Sequence, residues 1–321
     1  MESKLFMEYL ENNSPEGLAS IPKSDLHNHA SNGGNVEYVK NLANIDVPPP
    51  PPDFASIAAM EEWAHANIKR HVTKFTRYEA AFAQAKADGI FVLALSVFRK
   101  EMDRFGTCEQ FIQMFNGLKN KHLPDAQFIP EIAYSSEADC ATIDIEYDLM
   151  DEILSHNYFK SIDLCCCELT HPVINYKNHR KIFAKAKNAG LVVRAHVGEY
   201  GTADDVMRAV EELELDEVNH GIGAASSPQV MKWLADHKIR LNVCPTSNLM
   251  LDRATSYKEH PIRKLFDYGV PVTVNSDNML IFNQSVSREY LNLYNCGLMS
   301  VQELDEIRLT GLGRDWATGG T

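Results

Sequence analysis

The sequence predicts an α/β fold: a closed (β/α)₈ TIM-type barrel with an inserted helical lid region after the first strand. Three observations predict it. Eight short runs rich in β-branched and apolar residues recur along 321 residues, and amphipathic stretches separate them. No G-x-G-x-x-G or Walker pattern follows the first run, as an open doubly wound nucleotide-binding sheet would usually show.

In order, the expected strands are Lys23 to His29, Gly89 to Phe98, Gln127 to Tyr134, Phe159 to Cys167, Leu191 to His196, Glu217 to His220, Ile239 to Cys244 and Val270 to Ser276. The expected helices between them include Ile174 to Asn188, Ala203 to Leu213, Pro228 to His237 and Pro261 to Tyr268. Asn188-Ala189-Gly190-Leu191 and Tyr268-Gly269-Val270 put a glycine between helix and strand, as an αβ loop requires. We read 1–321 as a single barrel domain with a helical, Pro-rich insertion at about 35–87. Within it, Pro48 to Pro52 excludes a helix or central strand and forms a stiff extended linker, or the hinge of a lid over the first βα loop.

Composition narrows the function. Thirty-one basic against 44 acidic side chains give 31 − 44 = −13, with no basic run, so polymeric nucleic acid is not an expected partner. No apolar stretch approaches the ~20 residues of a membrane span, and MESKLFMEYLENN lacks the basic-then-apolar layout of a signal peptide. Seven cysteines, an odd number with three adjacent at Cys165 to Cys167, are poor material for a disulfide framework. A cytoplasmic protein with reduced thiols is the expectation.

Unusual polar residues fall at the carboxyl ends of the strands, where barrel enzymes build their sites. His27-Asn28-His29 ends the first; at i and i+2 on a strand both imidazoles point to one side. His196 ends the fifth, His220 the sixth, and Asp277 follows the eighth. Such imidazoles with a carboxylate suit a borderline cation such as Zn²⁺, with an open position for water.

The ordered set SDLHNHA, RAHVGE, VNHGIG, VCPTSN and VNSDN resembles the adenosine and AMP deaminase family of the amidohydrolase superfamily, over residues 24 to about 278. The resemblance implies one Zn²⁺ per chain held by His27, His29, His196 and Asp277. It further implies that Glu199 protonates purine N1 and that His220 orients or deprotonates the attacking water. Protonation of N1 makes hydroxide addition at C6 easier, so such an acid has a chemical purpose. The expected activity is hydrolytic deamination of an adenine nucleoside or nucleoside 5′-monophosphate to its inosine counterpart, the expected partner a small-molecule purine.

Three departures bear on substrate. Where adenosine deaminases carry Leu-Asp-Gly after H-x-H, the Asp contacting the ribose 5′-hydroxyl, this chain has Ala30-Ser31-Asn32. Neutral Ser31 removes a charge that would oppose a 5′-phosphate, and His29-Ala30-Ser31 looks like the H-A-S of AMP deaminases; Arg99 and Lys100, just beyond the second strand, are the candidate phosphate ligands. Cys166 replaces a glycine whose backbone N–H meets purine N3 in the family, and Asn278 replaces an Asp that meets N7. The adjacent thiols read as packing residues.

The rivals are another amidohydrolase-type hydrolase, or a catalytically silent nucleotide-binding relative. Two-metal members use a modified Lys at the end of the fourth strand; here Lys160 stands at the wrong end, favouring one metal. Neither H-x-E nor P-C-x-x-C occurs, which sets cytidine-deaminase-type enzymes aside.

Overall fold

The computed structural model describes residues 1–165 and 176–313. All eight expected strands form, as β1 (Lys23–Asp25), β2 (Ile90–Phe98), β3 (Gln127–Ser135), β4 (Ser161–Cys165), β5 (Val192–Val197), β6 (Glu217–His220), β7 (Arg240–Val243) and β8 (Val272–Val274). Each pairs in parallel with the next in chain order. The ring closes where the Asp277 N–H donates to the His27 carbonyl at 2.9 Å and the His29 N–H to the Asp277 carbonyl at 3.1 Å. Ala203–Leu213, Pro228–Asp236 and Ile262–Asp267 follow the expected helices closely; of the expected Ile174 to Asn188, only Arg180–Asn188 is α-helical, after a 3₁₀ turn Tyr176–Asn178, and Ile174 and Asn175 lie outside the described residues. Gly190 takes φ 86°, which a side chain would resist.

The first strand is shorter than expected. At Leu26 the backbone N–H turns to the Asn275 side-chain oxygen (2.7 Å) instead of a neighbouring backbone, which interrupts the ladder. The chain nevertheless stays bonded on both sides, by the isolated bridges Asn28 to Asp277 and His29 to Ser96. The H-x-H segment is therefore fixed at the seam of the barrel, not on a free loop.

The expected insertion is helical: Val36–Ala43, Ile57–Ala64, a π-helical turn His65–Lys69, and Lys74–Ala87. No regular element forms at Pro48 to Pro52. Phe54, Met60 and Ala64 bury their apolar surface against Met250, Leu251, Ile281 and Phe282, so the insertion rests on the segments that follow β7 and β8. That packing places its side chains beside the barrel mouth.

Aliphatic layers usually fill a barrel of this type. Here one layer is ionic. Arg194, fully buried, lies 2.8 Å from Glu131 and 2.9 Å from Glu217, and Arg240 caps Glu217 at 2.5 Å. Parallel register explains the contacts, since Arg194 stands opposite Glu217, and Glu217 opposite Arg240. Among the described residues no helix is long and apolar enough to cross a membrane.

Candidate active site

The strand ends bring the sequence-predicted residues together. Nε2 of His27 lies 3.5 Å and Nε2 of His29 3.3 Å from Asp277 Oδ1, while Nε2 of His196 lies 3.2 Å from that of His29. His220 joins His27 and His196 with ligand atoms within 4.8 Å of one another. Glu199 Oε2 stands 3.8 Å from His220 Nε2. His220 and Asp277 both hold left-handed backbone, at φ 65° and 56°. Residues with a β-carbon rarely stay there unless their surroundings fix them, and such strain gathers at functional sites.

This donor set fits a tetrahedral cation. Two ligands each ~2.05 Å from Zn²⁺ lie about 3.3 Å apart, matching the observed 3.2 to 3.5 Å. Neither ring nitrogen of the buried His27 has a hydrogen bond, a costly state that a metal at Nε2 would relieve. Burial, then the nearby His196, lowers the His27 pKa to about 4, so its lone pairs are available. Burial pushes Asp277 up, but His27 and His29 outweigh it and hold the carboxyl well below its usual range. Cys165 Sγ also lies within 4.8 Å of ligand nitrogens of His29 and His196, so this thiol belongs to the site and not only to the packing.

Behind these residues stand partners that no motif marked. Nδ1 of His196 lies 2.9 Å from Asp163 Oδ2, and Asn219 donates to Asp163 Oδ1 at 3.0 Å. Asp163 fixes the ring so that Nε2 faces the cluster. Against burial, it draws the His196 pKa up to about 9. Ser247 donates to Asp277 Oδ2 at 2.6 Å. The sole sequence signal for Asp163 is an acid inside the apolar run Ser161-Ile162-Asp163-Leu164-Cys165.

A second chain of hydrogen bonds sets the tautomer of His220. The Ile262 backbone N–H donates to His260 Nδ1 at 3.1 Å, so the His260 proton sits on Nε2. Nε2 donates to Asn248 Oδ1 at 3.3 Å, and Asn248 Nδ2 donates to His220 Nδ1 at 3.3 Å. Burial depresses the His220 pKa, leaving a neutral ring whose one proton is on Nε2, toward Glu199.

A cavity of about 290 Å³ opens over the cluster. Ser31, Asn32, Asn278, Cys165, Glu199 and His220 line it from the barrel; Ile57, Met60, Glu61 and Lys69 line it from the insertion. Arg77 donates to the Ser31 carbonyl at 2.7 Å, pinning the loop after H-x-H. Asn278 donates to Asp277 at 2.7 Å and accepts from Asn32 at 2.8 Å, which leaves one amide hydrogen for a ligand. Cys166 lies outside the described residues. Arg99 and Lys100 line a neighbouring cavity instead, and Arg99 is committed to Asp103 and Glu146.

An eight-stranded parallel barrel with three imidazoles and a carboxylate converging at its carboxyl end defines a hydrolase of the amidohydrolase type. The family model described as adenosine deaminase matches residues 150–317. The chain belongs to the adenosine deaminase family, hydrolases acting on carbon–nitrogen bonds. It is 28% identical to a putative adenosine/adenine deaminase of Treponema pallidum, over 89% of this chain and 95% of the relative. Its fold is similar to that of an adenine deaminase from Arthrobacter aurescens (TM-score 0.77, 20% identity, 92% of this chain and 94% of that one). It is likewise similar to a Burkholderia ambifaria amidohydrolase with bound Zn (0.73, 18%, 94% and 87%). An Arabidopsis N6-mAMP deaminase shares the fold as well (0.73, 16%, 94% and 95%).

Proposed function

We propose that the protein is a zinc-dependent hydrolytic deaminase that converts an adenine nucleoside or nucleoside 5′-monophosphate to its inosine counterpart and ammonia. The observation that carries this reading is the convergence of His27, His29, His196 and Asp277 beside a paired Glu199 and His220 in one cavity. His27, His29, His196 and Asp277 would hold one Zn²⁺, which when bound supplies Lewis acidity that lowers the pKa of water.

Glu199 gives a proton to purine N1 as water adds to C6, so that negative charge does not build on the ring. His220, with its proton on Nε2, donates a hydrogen bond to the water oxygen and orients it. That role follows from the tautomer and differs from deprotonation, the proton of the water being released to solvent. The C6–N6 bond then breaks as the C6 hydroxyl proton passes by way of Glu199 to N6, ammonia leaves, the 6-oxopurine keeps the proton on N1, and Glu199 regains its own proton from solvent. Asn278 offers its remaining amide hydrogen to N7. Ser31 borders the sugar end of the cavity, and the Cys166 backbone is the proposed donor to N3.

The test is a panel of adenine, adenosine, deoxyadenosine, AMP, dAMP and N6-methyl-AMP with zinc-loaded protein, following the ultraviolet spectrum and free amine. Loss of the adenine chromophore matched by stoichiometric ammonia supports the reading. Silence across the panel with zinc bound transfers it to the wider hydrolase class or to a silent binding protein.

A further inference from the structure

The cavity restores, from a different part of the chain, the charge that Ser31 lacks. Glu61, on the helix Ile57–Ala64, and Lys69, closing the π-helical turn His65–Lys69, both line it, with Glu61 Oε2 2.5 Å from Lys69 Nζ. Lys69 is the sole Lys or Arg among the described lining residues, and Glu61 already neutralises it. The lining carboxylates are Glu61, Glu101, Glu199 and Asp277. Glu101 is held by Lys74 and by the Tyr78 hydroxyl, the latter at 2.8 Å. The other insertion cations near this space are engaged, Lys74 with Glu101 and Arg77 with the Ser31 carbonyl. A π-helical turn is itself rare and is frequent at functional sites.

A dianionic phosphate reaching Lys69 would have to displace Glu61 from the pair and would then stand against that carboxylate in a partly desolvated space. Neutral hydroxyls meet no such opposition. The Glu61 carboxylate can accept from one hydroxyl while the Lys69 ammonium donates to another. We infer that the Glu61–Lys69 pair of the insertion is the specificity element of the cavity, holding the uncharged sugar of a nucleoside and excluding a 5′-monophosphate. The inference rests on the deaminase reading and narrows it.

The test compares wild type, Glu61→Gln and Lys69→Met, all zinc-loaded, on adenine, adenosine and AMP. AMP is read by kcat/KM or, where turnover is slow, by its Ki against adenosine. The pair lies on the surface side of the cavity, with Glu61 nearly half exposed, so neither change threatens the fold. Wild type should prefer adenosine. Glu61→Gln, which removes the opposing charge and frees Lys69, should raise the AMP-to-adenosine ratio by about tenfold or more, and Lys69→Met should lower it. Free adenine, which carries no sugar, should be unaffected by either change. A wild-type preference for AMP, a ratio that Glu61→Gln leaves unmoved, or equal losses on adenine and adenosine would each overturn the inference while leaving the deaminase reading intact. No turnover of any of the three by wild type would overturn both.

Discussion

Nδ1 of His196 lies 2.9 Å from Oδ2 of Asp163, and both side chains are buried. The carboxylate holds the imidazole in the one orientation that aims Nε2 at the cluster. Asp163→Asn keeps the size but replaces a charge-assisted bond with a neutral one. Zinc affinity, measured by competition with a chromophoric chelator, should fall about 10- to 100-fold. An unchanged affinity would mean that packing alone sets the ring.

The Asn248 and His260 relay yields a separate expectation. Asn248→Leu removes the donor to His220 Nδ1, so the His220 proton divides between the two nitrogens. The kcat for adenosine should drop by about 10- to 100-fold with KM little changed, since the group orients water and does not hold the substrate. Equal zinc content in both proteins separates this from a metal defect.

How much of this was legible in the sequence differs from element to element. The eight strands stood out as short runs that alternate with amphipathic stretches, and because glycines such as Gly190 mark where helices stop. His27, His29, His196, His220 and Asp277 were legible because polar residues at strand ends are conspicuous. Asp163 was not, being one acid inside an apolar strand, and its partner is 33 residues away. Glu61 and Lys69 were hidden for a stronger reason. Local periodicity says that an insertion is helical but not which of its side chains reach a cavity built by distant strands. The interruption at Leu26 likewise depends on Asn275, far along the chain.

The ionic layer in the barrel makes a stability prediction. Arg194→Met leaves Glu131 and Glu217 buried without their shared cation. Unfolding free energy by denaturant titration should decrease by about 3 to 5 kcal/mol. A loss of less than about 1 kcal/mol, the scale of an exposed ion pair, would show that water reaches this layer.

Glu289 gives a pH dependence. Its Oε1 accepts the Thr246 N–H at 3.0 Å, yet burial raises its pKa to about 8. The folded state therefore keeps a proton that the unfolded chain releases above about pH 4.5. This contribution is fully present below the unfolded pKa and is lost as pH rises from about 4.5 to about 8, on the order of 5 kcal/mol across that window. Glu289→Gln keeps the acceptor and removes the titration, so its stability should exceed that of wild type at pH 8 and decline less between pH 5 and 8 (about 3 pH units).

The most direct test of the central claim is Glu199→Gln, assayed for zinc content and for ammonia release from adenosine in the same preparation. The account predicts full zinc with turnover reduced by about 10² to 10⁴, because the metal ligands are untouched and only the proton for N1 is withdrawn. Full zinc with wild-type turnover would contradict it.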